Sequence, residues 1–297
     1  MNTFFIGNEM FVRLGFFLGI FFFMAAWEMA APRRVPEQSK FIRWSNNLVL
    51  TFFNTFLLRL VFPAAAVGTA LLANEKGWGF FNAITLPQWA AGLASIIILD
   101  LAIYVQHVVF HKVALFWRLH RMHHTDLDID VTTGARFHPV EIIISMALKM
   151  GVVAALGAPA WSVVTFEVLL NGTSMFNHSN ISMNLRADRW IRRFIVTPDM
   201  HRVHHPVLIR ETDSNYGFNL SWWDRLFSTY RDQPAAGHSA MKIGLANYRD
   251  PKWLKLGWML FCSNFPLQTL RAGNFHFLRE ELFLSFFTTA SALSYHC

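Results

Sequence analysis

Eight of the chain's 13 histidines fall in three tight clusters: His107-Val-Val-Phe-His111, His120-Arg-Met-His123-His124 and His201-Arg-Val-His204-His205. Residues three and four apart share one face of a helix, so HxxxH presents two imidazoles to one point and HxxHH two or three. A random HxxHH arises roughly 0.02–0.03 times in a chain of this composition, which puts two copies beside an HxxxH far above background. The competing interpretation, surface clusters beside an unrelated membrane pair, leaves ionisable side chains next to apolar segments without a task. Neutral imidazole suits iron, zinc, copper and nickel. Eight imidazoles exceed what one ion can hold, so the ligand count predicts two metal ions. His178, in Phe-Asn-His-Ser-Asn, is a candidate ninth ligand, with a capping or core role as the alternative. His138, in Arg-Phe-His-Pro, is a candidate ligand or a support to one. His238, His276 and His296 stand alone and are read as structural.

Several other polar residues lie near these clusters. Asp100, Tyr104, His107 and His111 are spaced i, i+4, i+7 and i+11, one stripe of a helix. A buried aspartate needs a partner, and orienting a ligand imidazole through its second nitrogen is the expected use. Asp213 and Asp224 follow the third cluster as candidate ligands or acceptors behind ligands, or as solvated or arginine-paired groups. The stretch 215–227, Asn-Tyr-Gly-Phe-Asn-Leu-Ser-Trp-Trp-Asp-Arg-Leu-Phe, is suited either to line an apolar channel or to form an interfacial belt.

The segments that must position these residues are apolar. Hydrophobic residues make up 54% of the 297 and charged residues 15%, with 30 phenylalanines and 11 tryptophans. A soluble domain carries about 25% charged residues. Runs at 14–31, 48–73 (kinked at Pro63) and 88–110 are long enough to cross a bilayer, for which roughly 20 helical residues suffice. Val140–Leu156 and Ala160–Phe176 form a predicted helical hairpin around Gly157-Ala158-Pro159, short for a full crossing. Stretches such as Trp253–Leu260 should lie in the interface. The net charge of +7 is spread through segments between apolar runs, and no nucleic-acid-binding signature accompanies it. Two cysteines exclude a disulfide framework.

The basic linker 32–46 is expected on the cytoplasmic side and the near-neutral 74–86 outside. The spans then bring every histidine cluster to the cytoplasmic end, with the N-terminus outside and the C-terminus inside. The expected fold is an all-α integral membrane protein, a transmembrane helix bundle with a cytosolic helical cap carrying a histidine-rich dimetal site. The expected organisation is 1–87 N-terminal helices and linker, 88–232 catalytic region, and 233–297 an amphipathic C-terminal segment.

These motifs, in this order, resemble the fatty acid hydroxylase/sterol desaturase superfamily over about residues 90–232. The likeness rests on HxxxH at 107–111, HRMHH at 120–124, RFHPVE at 136–141, FNHSN at 176–180, TPDMHRVHH at 197–205 and NYGFN…WWDRLF at 215–227. The resemblance implies that the eight clustered histidines are ligands, joined by His178, around a di-iron centre that zinc could also occupy. It implies an enzyme of the bacterial inner membrane or endoplasmic reticulum that uses O2 and external electrons to hydroxylate or desaturate a bilayer lipid. The HPGG haem motif of fused relatives is missing, so a separate electron-transfer protein or reductase is expected. Sterol, fatty acyl chain, glyceryl ether, ornithine lipid and carotenoid all remain open as substrates. The rival classes are a di-zinc hydrolase, a metal carrier and a haem-binding membrane protein.

Overall fold

A computed structural model describes residues 7–265. The expected 233–297 segment beyond Phe265, including the C-terminus, His276 and His296, lies outside the described residues. Up to Ser263 the chain forms one compact unit. Its long helices are α1 (Glu9–Ala30), α2 (Lys40–Val61), α3 (Ala65–Lys76), α4 (Gln88–Lys112), α5 (Ala114–His124), α6 (Pro139–Leu156) and α7 (Ala160–His178). Short helices follow at α8 (Leu185–Ile191), α9 (Pro198–Arg202) and α10 (Trp222–Leu226). The described residues contain isolated bridges but no strand.

Four stretches are long and apolar enough to cross a membrane: Glu9–Ala30, Lys40–Ala83, Gln88–Lys112 and Pro139–Leu156. Their outward faces carry Phe22, Phe23, Phe52, Phe56, Trp89 and Leu93, all exposed. Such a display is foreign to a soluble surface and natural against lipid. At Pro63 the run does more than kink. α2 stops at Val61 and α3 starts at Ala65, because proline lacks the N–H a helix needs there. The hairpin forms, but its first arm, Pro139–Leu156, is long and apolar enough to cross, contrary to the expectation of short arms; Gly157, at φ 65°, caps α6, and Pro159 precedes the first residue of α7. At Gly157 a Cβ would lie 2.6 Å from Trp78 O, so glycine serves both the left-handed turn and the close approach.

α1 and α7 lie side by side, joined in step by Arg13–Glu167, Ile20 against Gly172, and Glu28 accepting from Asn180 N. Constant offsets of 152–154 along both chains mean that these helices run parallel. A buried polar clamp fixes the loop after α5. Arg43 of α2 donates to Asp126 at 2.7 and 2.9 Å and also pairs with Asp130. Arg136 donates to Met122 O, Thr125, Asn47 and Trp253 O. Arg43 holds Asp126 down to about 2 despite its burial. The segment expected at the interface is a 3-10 turn, Pro251–Leu254, and a six-residue helix, Leu256–Phe261. It buries Trp253, Leu254 and Met259, with Trp253 and Met259 packed around Leu50 of α2, and leaves Trp258 and Phe261 exposed.

Candidate metal centre

Four pieces of chain deliver nine histidines to one end of the bundle. His107 and His111 come from the last two turns of α4, and His120, His123 and His124 from α5. His178 is the last residue of α7. His201 sits on α9, whose start is set by the Thr197 cap and by Pro198 at its first position, and His204 and His205 follow directly. All nine are at most 2% exposed.

They separate into two groups. His107, His111, His120, His124 and His204 form one, and His123, His178, His201 and His205 the other; within each, one nitrogen per ring lies within 4.8 Å of all the rest. His138 joins neither. Its Nδ1 caps α6 by accepting from Val140 N at 3.2 Å.

The inward nitrogens approach each other closely. Nε2–Nε2 distances are 3.1 Å for His107–His120, 3.2 Å for His111–His124, 3.1 Å for His123–His178, 3.0 Å for His178–His201 and 3.3 Å for His201–His205. The outward nitrogens decide what these contacts are. Nδ1 donates to a carbonyl in His107 (Tyr216 O, 2.7 Å), His123 (Arg136 O, 3.3 Å), His178 (Ser174 O, 2.7 Å) and His204 (Ser214 O, 2.6 Å). A carbonyl only accepts, so Nδ1 carries the proton and Nε2 a bare lone pair. His123 and His178 therefore point two lone pairs at each other 3.1 Å apart. His204 Nε2, also buried, has no hydrogen-bond partner among the described residues.

A cation removes that conflict. Metal–imidazole bonds of about 2.0–2.1 Å with near-right or tetrahedral angles place ligand nitrogens roughly 2.9–3.4 Å apart, the range found here. Protonation is the other escape, and the surroundings oppose it. Burial first, and neighbouring imidazoles next, hold His123, His124, His201, His204 and His205 well below the ordinary histidine range. The donor sets thus fit two cations that bind imidazole, one per group, and neither group includes a carboxylate.

Carboxylates stand behind the rings. Glu141, buried in the first turn of α6, takes His120 Nδ1 at 2.6 Å. Asp213 lies 3.4 Å from His111 Nδ1 and pairs with Lys112 at 3.1 Å. Asp100 meets no histidine among the described residues; it accepts from Asn219 Nδ2 (2.8 Å), Leu220 N (3.1 Å) and Trp223 Nε1 (2.8 Å). Asp224 likewise binds backbone, Tyr216 N at 2.7 Å and Gly217 N at 2.9 Å, and burial pushes its carboxyl up to about 6. Both aspartates pin the aromatic loop 215–227, and that loop presents Tyr216 O to His107. Tyr104 serves the same loop, its hydroxyl 2.8 Å from Thr229 and its ring stacked on Phe227.

Sequence reasoning passed over Glu141, although it falls in the RFHPVE motif. A glutamate three residues after a capping residue faces back along the helix start, a signal that could have found it. The carbonyls of Tyr216, Arg136, Ser174 and Ser214 carry no side-chain signal.

A cavity of about 320 Å³ opens beside the first group. His107, His120 and Glu141 line one end, and Ile103, Phe110, Phe137, Met146 and Phe218 supply apolar wall. It extends between α1, at Arg13 and Phe17, and α2, at Thr51–Phe62.

Residues 92–229 match the model of the fatty acid hydroxylase family. Among curated proteins, an ornithine lipid hydroxylase of Rhizobium tropici, OlsE, is 26% identical over 61% of this chain and 56% of its own. An alkylglycerol monooxygenase of Xenopus tropicalis is 29% identical over 52% of this chain and 34% of its own. Methylsterol monooxygenase 1 of Danio rerio is 28% identical over 49% and 50%. The chain thus spans about half the length, or less, of these relatives. No solved structure matches it.

Proposed function

We propose, from the match of residues 92–229 to the fatty acid hydroxylase family, that the chain is a membrane-embedded, O2-dependent lipid hydroxylase. The observation that carries this reading is the apolar cavity ending on His107 and His120. A lipid entering between α1 and α2 would bring an alkyl carbon to the first histidine group without crossing water.

His107, His111, His120, His124 and His204 would hold one ion, and His123, His178, His201 and His205 the other. Iron fits the reaction, and zinc is a possible occupant of the same donors. A metal pair held there would supply oxygen activation and one-electron chemistry, which an unactivated C–H bond requires because no side-chain base can remove its proton. The balance is lipid–H plus O2 plus two electrons and two protons, giving lipid–OH and water. The electrons come from a separate donor protein.

The chain's own groups do the rest. Glu141 and the Tyr216 carbonyl each keep a proton on an outward Nδ1 and aim the other nitrogen inward. Ile103, Phe110, Phe137 and Phe218 exclude water and present the chain of the substrate. The basic linker 32–46 supports a centre facing the cytoplasm of a bacterial inner membrane or endoplasmic reticulum, with the N-terminus outside. Desaturation with the same centre is the second reading, favoured by a 22% identical relative, a sterol 5(6)-desaturase of Aspergillus fumigatus. A di-zinc hydrolase is disfavoured by the all-imidazole groups, since bridging carboxylates are the commoner arrangement in hydrolytic pairs.

Lipid mass spectrometry of cells carrying the wild-type chain or His204→Ala tests this. A species gaining one oxygen only with the wild type names substrate and reaction, and a loss of two hydrogens indicates the desaturase. Iron-loaded protein with reductant, O2 and a broad lipid panel that neither consumes O2 nor alters a lipid refutes both.

A further inference from the structure

The histidine end of the bundle exposes apolar side chains beyond the reach of the hydrocarbon core. Trp89, exposed in the first turn of α4, sits where an interfacial anchor belongs. Lys112 ends the same helix about 35 Å further along, against a core of about 30 Å. The corner where α4 turns into α5 therefore stands in water. Val113 and Leu115 are exposed at that corner, Leu115 by 65%, and Leu208 and Ile209 are exposed beside it, Leu208 by 48%. Asp213 ties the two stretches together, 3.1 Å from Lys112 and 3.4 Å from His111. An apolar patch held in water marks a surface made for a partner.

Charge around the patch is one-sided. Residues 107–125 include no acid and carry Lys112, Arg118 and Arg121; residues 237–249 include none and carry Lys242 and Arg249. The second strip lies against the first elements. Val207 N donates to Lys242 O and Gly244 N to His205 O, both at 2.9 Å, and the Arg121 guanidinium sits 5.5 Å from the centre of the Tyr248 ring. Between the strips, Glu211 is buried and Asp213 is engaged by Lys112, while Arg210, Lys242 and Arg249 face outward. The same face covers the candidate metal centre closely. Trp117, one turn along α5 from Val113, places its ring 5.0 Å from that of His111 and 5.5 Å from that of His124.

We infer that this face, centred on Val113, Leu115, Leu208 and Ile209, receives an acidic one-electron carrier protein. The inference rests on the oxygenase reading, whose balance takes two electrons from outside the chain. Each encounter oxidises the carrier by one electron; two encounters, with two protons from water, balance one O2 against one hydroxyl and one water. An apolar centre with a cationic rim of Arg118, Arg210, Lys242 and Arg249 matches a partner whose cofactor edge is ringed by carboxylates. Trp117 lies beneath the corner, so a carrier seated there is separated from His111 and His124 by a single ring.

Titration calorimetry on the purified, iron-loaded full chain in a neutral maltoside detergent, without O2 or lipid, tests this. The probes are an oxidised plant-type [2Fe–2S] ferredoxin and an oxidised flavodoxin, both acidic, with a basic cytochrome c as the charge control. At least one acidic probe should bind about tenfold or more tightly than cytochrome c, and raising the salt from about 0.05 to about 0.5 M should abolish most of that preference. Leu115→Glu and Arg210→Glu should each weaken binding about tenfold. Lys76→Glu, the same charge change on an exposed residue of α3, should leave it within about twofold. Anaerobic stopped flow should show reoxidation of the reduced probe slowing in the same order. Binding of neither acidic probe overturns the proposal, as does binding that Leu115→Glu and Arg210→Glu leave unchanged. Self-association lost in Leu115→Glu while carrier binding persists overturns it in favour of a second copy of this chain. Because no lipid is turned over, the result stands apart from whether the chain hydroxylates one.

Discussion

Replacing Glu141 by glutamine isolates one carboxylate behind one ligand. The substitution keeps volume and an acceptor for His120 Nδ1, now 2.6 Å from Glu141 Oε1, while removing the charge. An ion on the far nitrogen of that imidazole would stand roughly 6–7 Å from the carboxylate, given a ring about 2 Å across and a metal bond of about 2.1 Å. At an effective dielectric of about 20, each positive charge on the ion then loses about 2–3 kcal/mol of attraction. One decade in affinity corresponds to about 1.4 kcal/mol, so each positive charge counted at full strength weakens binding roughly 30- to 150-fold; losses at comparable supporting residues are about 10- to 100-fold, and a loss of at least about tenfold is expected. The assay is competition with a chromophoric chelator, read as metal equivalents retained. One of two equivalents should become chelator-accessible in Glu141→Gln, because Glu141 touches only the first group. Asp100→Asn is the control: its partners are Asn219, Leu220 and Trp223, so both equivalents should stay. Two equivalents held at wild-type affinity by Glu141→Gln would refute the assignment of Glu141 as the residue that orients His120.

Two further outcomes follow from the packing and the titration of the site. At Gly92 an added Cβ would fall 1.9 Å from the Trp161 ring, so Gly92→Ala should destabilise the α4–α7 contact by about 1–3 kcal/mol, seen as a lower Tm. An unchanged Tm would mean that the helices separate freely there. His123, His124, His201, His204 and His205 all have folded values depressed by burial, so their contribution to stability is complete above about pH 6.5. It is lost as pH falls below that, where the unfolded chain takes up protons that the fold refuses, by about 1.4 kcal/mol per unit and per histidine. Metal-free protein should therefore show a steep fall in Tm between pH 6.5 and 5, and a flat profile would contradict neutral, buried rings.

Local rules made much of this protein legible in advance. Helical spacing alone exposed the His107/His111 pair and the two HxxHH clusters, because residues three and four apart share a helix face. Apolar runs of span length, broken by Gly157 and Pro159, foretold the helices and the hairpin, since a bilayer demands about 20 apolar residues and a satisfied backbone. What spacing could not decide was partnership across distance. The partition of nine histidines into groups of five and four separates His123 from its neighbours His120 and His124 and joins it to His178, 55 residues on. That split depends on how α5 packs against α4 and α7, which no local pattern encodes. The same holds for Asp100: its stripe with His107 and His111 is real, yet the loop 219–223 reaches the carboxylate and takes it instead of an imidazole. Of the four outward bonds to backbone carbonyls, His107 to Tyr216 O reaches 109 residues along the chain, while the other three close over 4 to 13 residues, and none has a side-chain signature. The sequence by itself determined the metal-binding side chains on offer and the helices that carry them; only the tertiary structure decided which rings face each other, because lone-pair geometry and burial exist only once the helices have met.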